Sequence, residues 1–152
     1  MHLYLEFDAI VRRFAEEHVR YAVAGAFAVG LHGPLRATED MDFLVHPDDA
    51  DRASELVKEL GYRVGGKPWT FQNTQITLRR FLKPIAQSED LFVLDFMIPE
   101  SEEGCGILDR AEQRPYAGIT IQVVNKQDLI AMKRRRGSKQ DEADIARLEG
   151  RE

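Results

Sequence analysis

Apolar residues at Phe7, Ile10, Val11 and Phe14, with charges between them, lay one stripe along Leu5 to Val19 and predict an amphipathic helix. Arg20 to Ala24 is short and apolar and runs into Gly25, the pattern of a buried strand ending in a tight turn. Ala26 to Leu31 reads as a short helix closed by Gly33-Pro34. Met41 to Val45 reads as a second strand. His46-Pro47-Asp48-Asp49 then opens a helix through Leu60, with Ala50, Ala53, Leu56, Val57 and Leu60 inward and Gly61 as its stop. After the loop Gly65-Gly66-Lys67-Pro68, residues 69–82 alternate apolar and polar side chains (Trp69, Phe71, then Ile76 and Leu78) and predict a hairpin.

Leu91 to Ile98 is the most apolar run in the chain and predicts a central strand, with Asp95 its only polar residue. A loop and a short helix near Ile107–Gln113 lead to a strand over Gly118 to Val124. Asn125 caps a helix through about Arg135. Ser138, with Asp141 three residues on, has the spacing of a capping box and opens a last helix through Leu148. Helices alternate with strands around a hairpin, which favours an α/β (α+β) fold, a mixed β-sheet flanked by α-helices, over a purely parallel doubly wound sheet. No linker, repeat or low-complexity tract divides the chain, so residues 1–152 read as a single domain.

Composition narrows the class. Hydrophobic residues make up 43% of 152, enough for one core, and 31% of residues are charged, with a net charge of −5. That balance disfavours a protein coating nucleic acid over a wide face, which needs concentrated Lys and Arg. The single cysteine, Cys105, allows no internal disulfide and no cysteine cage for a metal. Without a basic flank and long apolar run at the N-terminus, or a stretch near 18 apolar residues, the expected compartment is the cytoplasm, with no membrane partner.

The candidate chemistry gathers on three aspartates. On a strand, Asp40 and Asp42 project from one face, and two carboxylates so placed repel unless something positive lies between them; a divalent cation is the usual solution. Asp95, set in an apolar strand, needs a partner: a metal or catalytic role, or an ion pair with Arg79 or Arg80. Gly25, between a strand and a helix, lets backbone N–H groups approach a phosphate. Arg36 contacts a phosphate or braces its loop through Glu39, and Thr38 stabilises that loop or binds a ligand. The run Lys133-Arg134-Arg135-Arg136 offsets a helix dipole, neutralises a triphosphate or follows a nucleic-acid backbone, Lys133 being the one that leans toward the sheet. The histidines show no ligand spacing, His32 being notable only for lying between Gly25 and Asp40. No nucleophile elbow, P-loop or dinucleotide fingerprint is present.

Val23-Ala24-Gly25-Ala26, followed by His32-Gly33-Pro34-Leu35-Arg36-Ala37-Thr38-Glu39-Asp40-Met41-Asp42-Phe43-Leu44-Val45, resembles the signature of minimal nucleotidyltransferases of the polymerase-beta-like superfamily, especially the AbiEii-type toxins. The segment from Asp128 through Lys133 to Lys139-Gln140-Asp141 and Asp144-Ile145 resembles that group's C-terminal helices. The resemblance implies Mg2+, two ions held by Asp40, Asp42 and Asp95, and an NTP substrate touching Gly25, Ala26, Arg36, Thr38, Lys133 and Asp141. Asp95 would act on the acceptor hydroxyl. The implied reaction moves a nucleoside monophosphate onto a hydroxyl of RNA, protein or a small molecule, in a toxin–antitoxin setting with an antitoxin or a second copy as partner. Ala26 stands where the family has a second Gly or Ser, leaving only its backbone N–H for a phosphate. That departure supports the alternative of a weak or inactive module that binds nucleotide or a partner protein.

Overall fold

The computed structural model describes residues 2–32, 40–70 and 75–150. The stripe at Phe7, Ile10, Val11 and Phe14 becomes α1 (His2–Glu16), which ends three residues before the predicted boundary because His18 turns into the left-handed region. β1 (Tyr21–Ala24) leads into α2 (Gly25–His32), and β2 spans Asp40–Val45. A single 3-10 turn at Pro47–Asp49 starts α3 (Ala50–Glu59). Two short strands, β3 (Arg63–Val64) and β4 (Trp69–Thr70), precede the long strands β5 (Ile76–Pro84) and β6 (Leu91–Pro99). α4 (Glu102–Asp109), β7 (Glu112–Tyr116), β8 (Ile119–Val123), α5 (Lys126–Arg136) and α6 (Lys139–Glu149) complete the order.

Among the described residues eight strands form one mixed sheet in the order β3-β5-β6-β2-β1-β8-β7, with β4 also paired to β5. β2 runs parallel to β6 and β1 parallel to β8, while β1–β2, β5–β6 and β7–β8 are antiparallel. The predicted hairpin is the β4–β5 pair, with Trp69 opposite Leu78; Phe71 lies outside the described residues. β7 replaces the end of the helix expected near 107–113. Its sequence, Glu-Gln-Arg-Pro-Tyr, is that of an edge strand, where a proline costs no ladder bond. The hairpin to β8 turns on Ala117 and Gly118, both at positive φ, as a primed two-residue turn requires.

The two faces of the sheet differ. Phe43 and Phe96, neighbours across β2 and β6, are fully buried under α1: the Phe43 ring lies 5.9 Å from Phe7 and 5.7 Å from Phe14, and Phe96 lies 6.0 Å from Phe14. Arg79, opposite Phe96, reaches Asp51 and Ser54 of α3 on the same side. The alternate residues Asp42, Asp95 and Arg80 therefore face the other way, toward the site described below. No described helix is long and apolar enough to cross a membrane. Phe43 joins helix to sheet, so Phe43→Ala should destabilise the fold by about 3–5 kcal/mol, read as a lower urea midpoint with an unchanged m-value.

Candidate active site

Strand register assembles the site. Reading across the sheet, Arg80 on β5 is opposite Asp95 on β6, Asp95 is beside Asp42 on β2, and Asp42 is opposite Ala24 on β1. Partners in one lateral row share a face, so a guanidinium and two carboxylates lie side by side. Asp40, two residues before Asp42, projects from the same face and is exposed.

Gly25 follows Ala24 at φ +61°, a conformation that side chains rarely tolerate. The Asp42 carboxylate sits directly over it: a Cβ on Gly25 would overlap Asp42 Oδ2 and come within 2.7 Å of Cγ. Two constraints thus demand glycine here, one of backbone and one of space. The result is a carboxylate resting against the first turn of α2, where Gly25 and Ala26 begin the helix.

Asp95 is only 4% exposed. Both of its oxygens accept hydrogen bonds from Arg80, Nε at 2.8 Å to Oδ1 and Nη2 at 2.9 Å to Oδ2. The hydrogen bond to Asp95 raises the Arg80 pKa above its ordinary value; the charges of Asp95, Asp40 and Asp42 add to this, and burial opposes it. Arg80 therefore pairs directly with Asp95 and also feels the charges of Asp40 and Asp42. The ion pair with Arg80, one of the partners expected for Asp95, is formed. Among the described residues no three Asp, Glu, His or Cys side chains are close enough to enclose a metal. Of the three carboxylates expected at the centre, Asp40 and Asp42 stand as a pair on β2, and Asp95 accepts from Arg80. That pair fits a hard divalent cation, since Mg2+ is usually held by one or two carboxylates together with substrate phosphates.

A cavity of about 380 Å3 opens beside Asp42 and Gly25. Ile76, Met97, Ile107, Leu129 and Met132 give it apolar walls, and Lys133 reaches it from α5. Two ion pairs tie α4 to α5 along its length: Arg110 to Asp128, both contacts at 3.0 Å, and Arg135 to Glu103 at 2.9 Å. Asp40, Asp95 and Arg80 are not among its lining residues. Asp42 therefore stands between this cavity and the Asp95–Arg80 pair.

Lys133 is buried and held by acids of α6, its Nζ 3.0 Å from Asp144 and 3.7 Å from Asp141. Asp141, fully buried, closes the predicted capping box, its Oδ2 accepting from Ser138 Oγ at 2.7 Å and Ser138 N at 3.1 Å. It braces Lys133 and α6 and does not line the cavity. The rest of the basic run diverges, because successive helical residues point about 100° apart. Arg134 pairs with Glu149 and Arg135 with Glu103, and the Arg136 side chain lies outside the described residues. No single basic strip for a nucleic-acid backbone results from the described members of the run.

His32 joins α2 to the far edge of the sheet. Its Nε2 is 2.8 Å from the Val124 carbonyl oxygen and its Nδ1 is 3.0 Å from Arg114 Nη2. A carbonyl only accepts and a guanidinium only donates, so the proton belongs on Nε2 and both ring nitrogens are engaged. Arg36 and Thr38 lie outside the described residues, as does the Ala26 side chain. Arg80 is the residue whose place in the cluster sequence reasoning left open. The clue available was its position in an alternating strand ahead of a strand with one buried acid, but register alone selects it over Arg79.

Comparison with known proteins bears on the fold and the family. A search of curated proteins finds no match. Among solved structures, a Thermotoga maritima protein described as a nucleotidyltransferase superposes with a TM-score of 0.66 at 18% identity, over 95% of this chain and 90% of that one. A lincosamide antibiotic adenylyltransferase, in a lincomycin-bound structure, gives a TM-score of 0.65 at 14% identity, over 97% and 96% of the two chains. The antibiotic-resistance factor ANT(2'')-Ia gives 0.62 at 14% identity, over 95% and 80%. At such identities the likeness establishes the fold, a mixed sheet flanked by helices. Family membership comes from the sequence: residues 5–151 match the model of DUF2204, described as a nucleotidyl transferase of unknown function, and the chain belongs to that family.

Proposed function

We propose that the protein transfers a nucleoside monophosphate from an NTP to a hydroxyl acceptor, releasing pyrophosphate. The observation that carries this reading is the contact of the Asp42 carboxylate with Gly25 at the mouth of the 380 Å3 cavity. It brings a metal-binding carboxylate, the N-terminus of α2 and the cavity to one point. The cavity is within the range of small-molecule sites, roughly 300–1,000 Å3, and its apolar walls suit a nucleoside. Lys133, held by Asp144 and Asp141, brings an ammonium to the cavity wall on that side. The acceptor then approaches Asp42 from the opposite side, where Asp40 and Asp95 lie. Held by Asp40 and Asp42, Mg2+ would neutralise phosphate charge and polarise the phosphoryl oxygens.

One observation favours a second reading, a nucleotide-binding module without turnover: both Asp95 oxygens are engaged by Arg80. Transfer of radiolabelled nucleotide to candidate acceptors separates the two readings, because the module would bind NTP and transfer nothing.

The first test is thermal denaturation with each of the four NTPs, with and without Mg2+. Saturation at a hundred times the dissociation constant should raise Tm by roughly 5–10 °C for a domain of this size. The shift should require Mg2+ and vanish in Asp42→Ala; no shift with any NTP removes the reading. Gly25→Ala should lose the same shift, since the new methyl displaces the Asp42 carboxylate. It should also destabilise the unliganded fold by about 1–3 kcal/mol through its positive φ, and an unchanged Tm would show that the turn relaxes freely.

A further inference from the structure

We propose that Arg80 is a built-in counter-ion that holds Asp95 out of the metal site and must release it before the site can assemble around Mg2+ and nucleotide. This rests on the nucleotidyltransferase reading and goes beyond it, because it makes Arg80 a positioning residue and the ion pair a resting state.

Lateral order in the sheet sets Arg80 against the metal site. Arg80, Asp95 and Asp42 occupy one row across β5, β6 and β2, so the guanidinium and the Asp42 carboxylate flank Asp95 from opposite sides. Two carboxylates facing each other across strands repel, and the repulsion is relieved by a cation on either side. Arg80 relieves it from β5. A divalent ion at Asp40 and Asp42 would relieve it from β2. Each Asp95 oxygen keeps a second lone pair, but Arg80 engages both oxygens in a bidentate fork, and its positive charge opposes a second cation approaching the same carboxylate. Metal and guanidinium therefore compete for one carboxylate.

Arg80 is built to let go. Its side chain is 39% exposed whereas that of Asp95 is 6% exposed, so the arginine covers the acid from the solvent side. A second partner is already in place: the guanidinium carbon lies 5.5 Å from the centroid of the Trp69 ring on β4. A guanidinium that leaves Asp95 keeps the indole face and water. A fully buried arginine would have neither, and the pair would then be a permanent part of the core.

Arg79 supplies the control. It is the next residue on β5, points to the opposite face and pairs with Asp51, so Arg79→Gln makes the same charge change without touching Asp95. Trp69 supplies the reporter, since it is the only tryptophan in the chain.

The experiment measures Mn2+ binding by electron paramagnetic resonance on the unliganded wild type, Arg80→Gln and Arg79→Gln. In parallel, Trp69 emission is followed during Mg2+ titration of the wild type. Removing the competitor should tighten Mn2+ binding in Arg80→Gln by about tenfold, a magnitude already reduced for solvent screening of a half-exposed charge. Arg79→Gln should stay within roughly threefold of wild type, as expected for a screened, more distant charge. Trp69 emission should change as Mg2+ saturates the wild type. Equal or weaker Mn2+ binding in Arg80→Gln, equal tightening in both variants, or no binding in any of the three overturns the proposal. Should Arg80→Gln not fold, the wild-type titration decides alone: emission that stays constant through saturating Mg2+ sinks the idea, and a saturable change sustains it. Failure of these tests alongside an Mg2+-NTP shift that disappears in Asp42→Ala removes only the role of Arg80; a shift that persists in Asp42→Ala removes the nucleotidyltransferase reading itself.

Discussion

A carboxylate in the middle of an apolar strand has to be answered by positive charge, and most of this site follows from how Asp95 is answered. Left alone among Leu94, Phe96 and the buried faces of β5 and β2, its charge would cost several kcal/mol. Arg80 meets the demand through two short hydrogen bonds from the neighbouring strand. The same guanidinium also feels the charges of Asp40 and Asp42.

On the other side of Asp42 the constraint is spatial. Gly25 directly follows β1, starts α2 and is the floor under a carboxylate. Any larger residue would break the contact that joins the acidic row to the cavity. The cavity walls come from elements distant in sequence: Ile76 and Met97 from the sheet, Ile107 from α4, Leu129 and Met132 from α5. Ion pairs at both ends hold α4 against α5, so the compartment keeps its shape through charge as well as apolar contact.

Lys133 shows how burial converts a surface-looking residue into a fixed one. In sequence it opens a run of four cations. In the fold it is enclosed by Asp144 and Asp141, and Asp141 is itself locked by the capping box with Ser138. Such a lysine has lost its freedom before any ligand arrives, which favours precise placement of its charge. Its neighbours Arg134 and Arg135 pair with Glu149 and Glu103, on α6 and α4 respectively.

The sequence by itself determined the strands and helices whose patterns are local. The stripe of α1, the apolar runs of β1, β2 and β6, and the caps at Asn125 and Ser138 depend on residues within one or two turns of each other. It also singled out Asp40, Asp42, Asp95 and Gly25, because acids and a glycine in those local settings are chemically conspicuous. β7 escaped it, since an exposed edge strand containing Pro115 carries no apolar alternation to read. Tertiary structure alone decided which arginine answers Asp95: Arg79 and Arg80 are adjacent in sequence, and strand register sends one to α3 and the other to the acids. It alone placed the Asp42 carboxylate on Gly25, turned Asp141 inward as a brace and spread the basic run over several partners. The physical reason is common to all of these. Side-chain direction follows from a short chain segment, whereas the partner met in that direction depends on pairing between strands and helices far apart in the sequence.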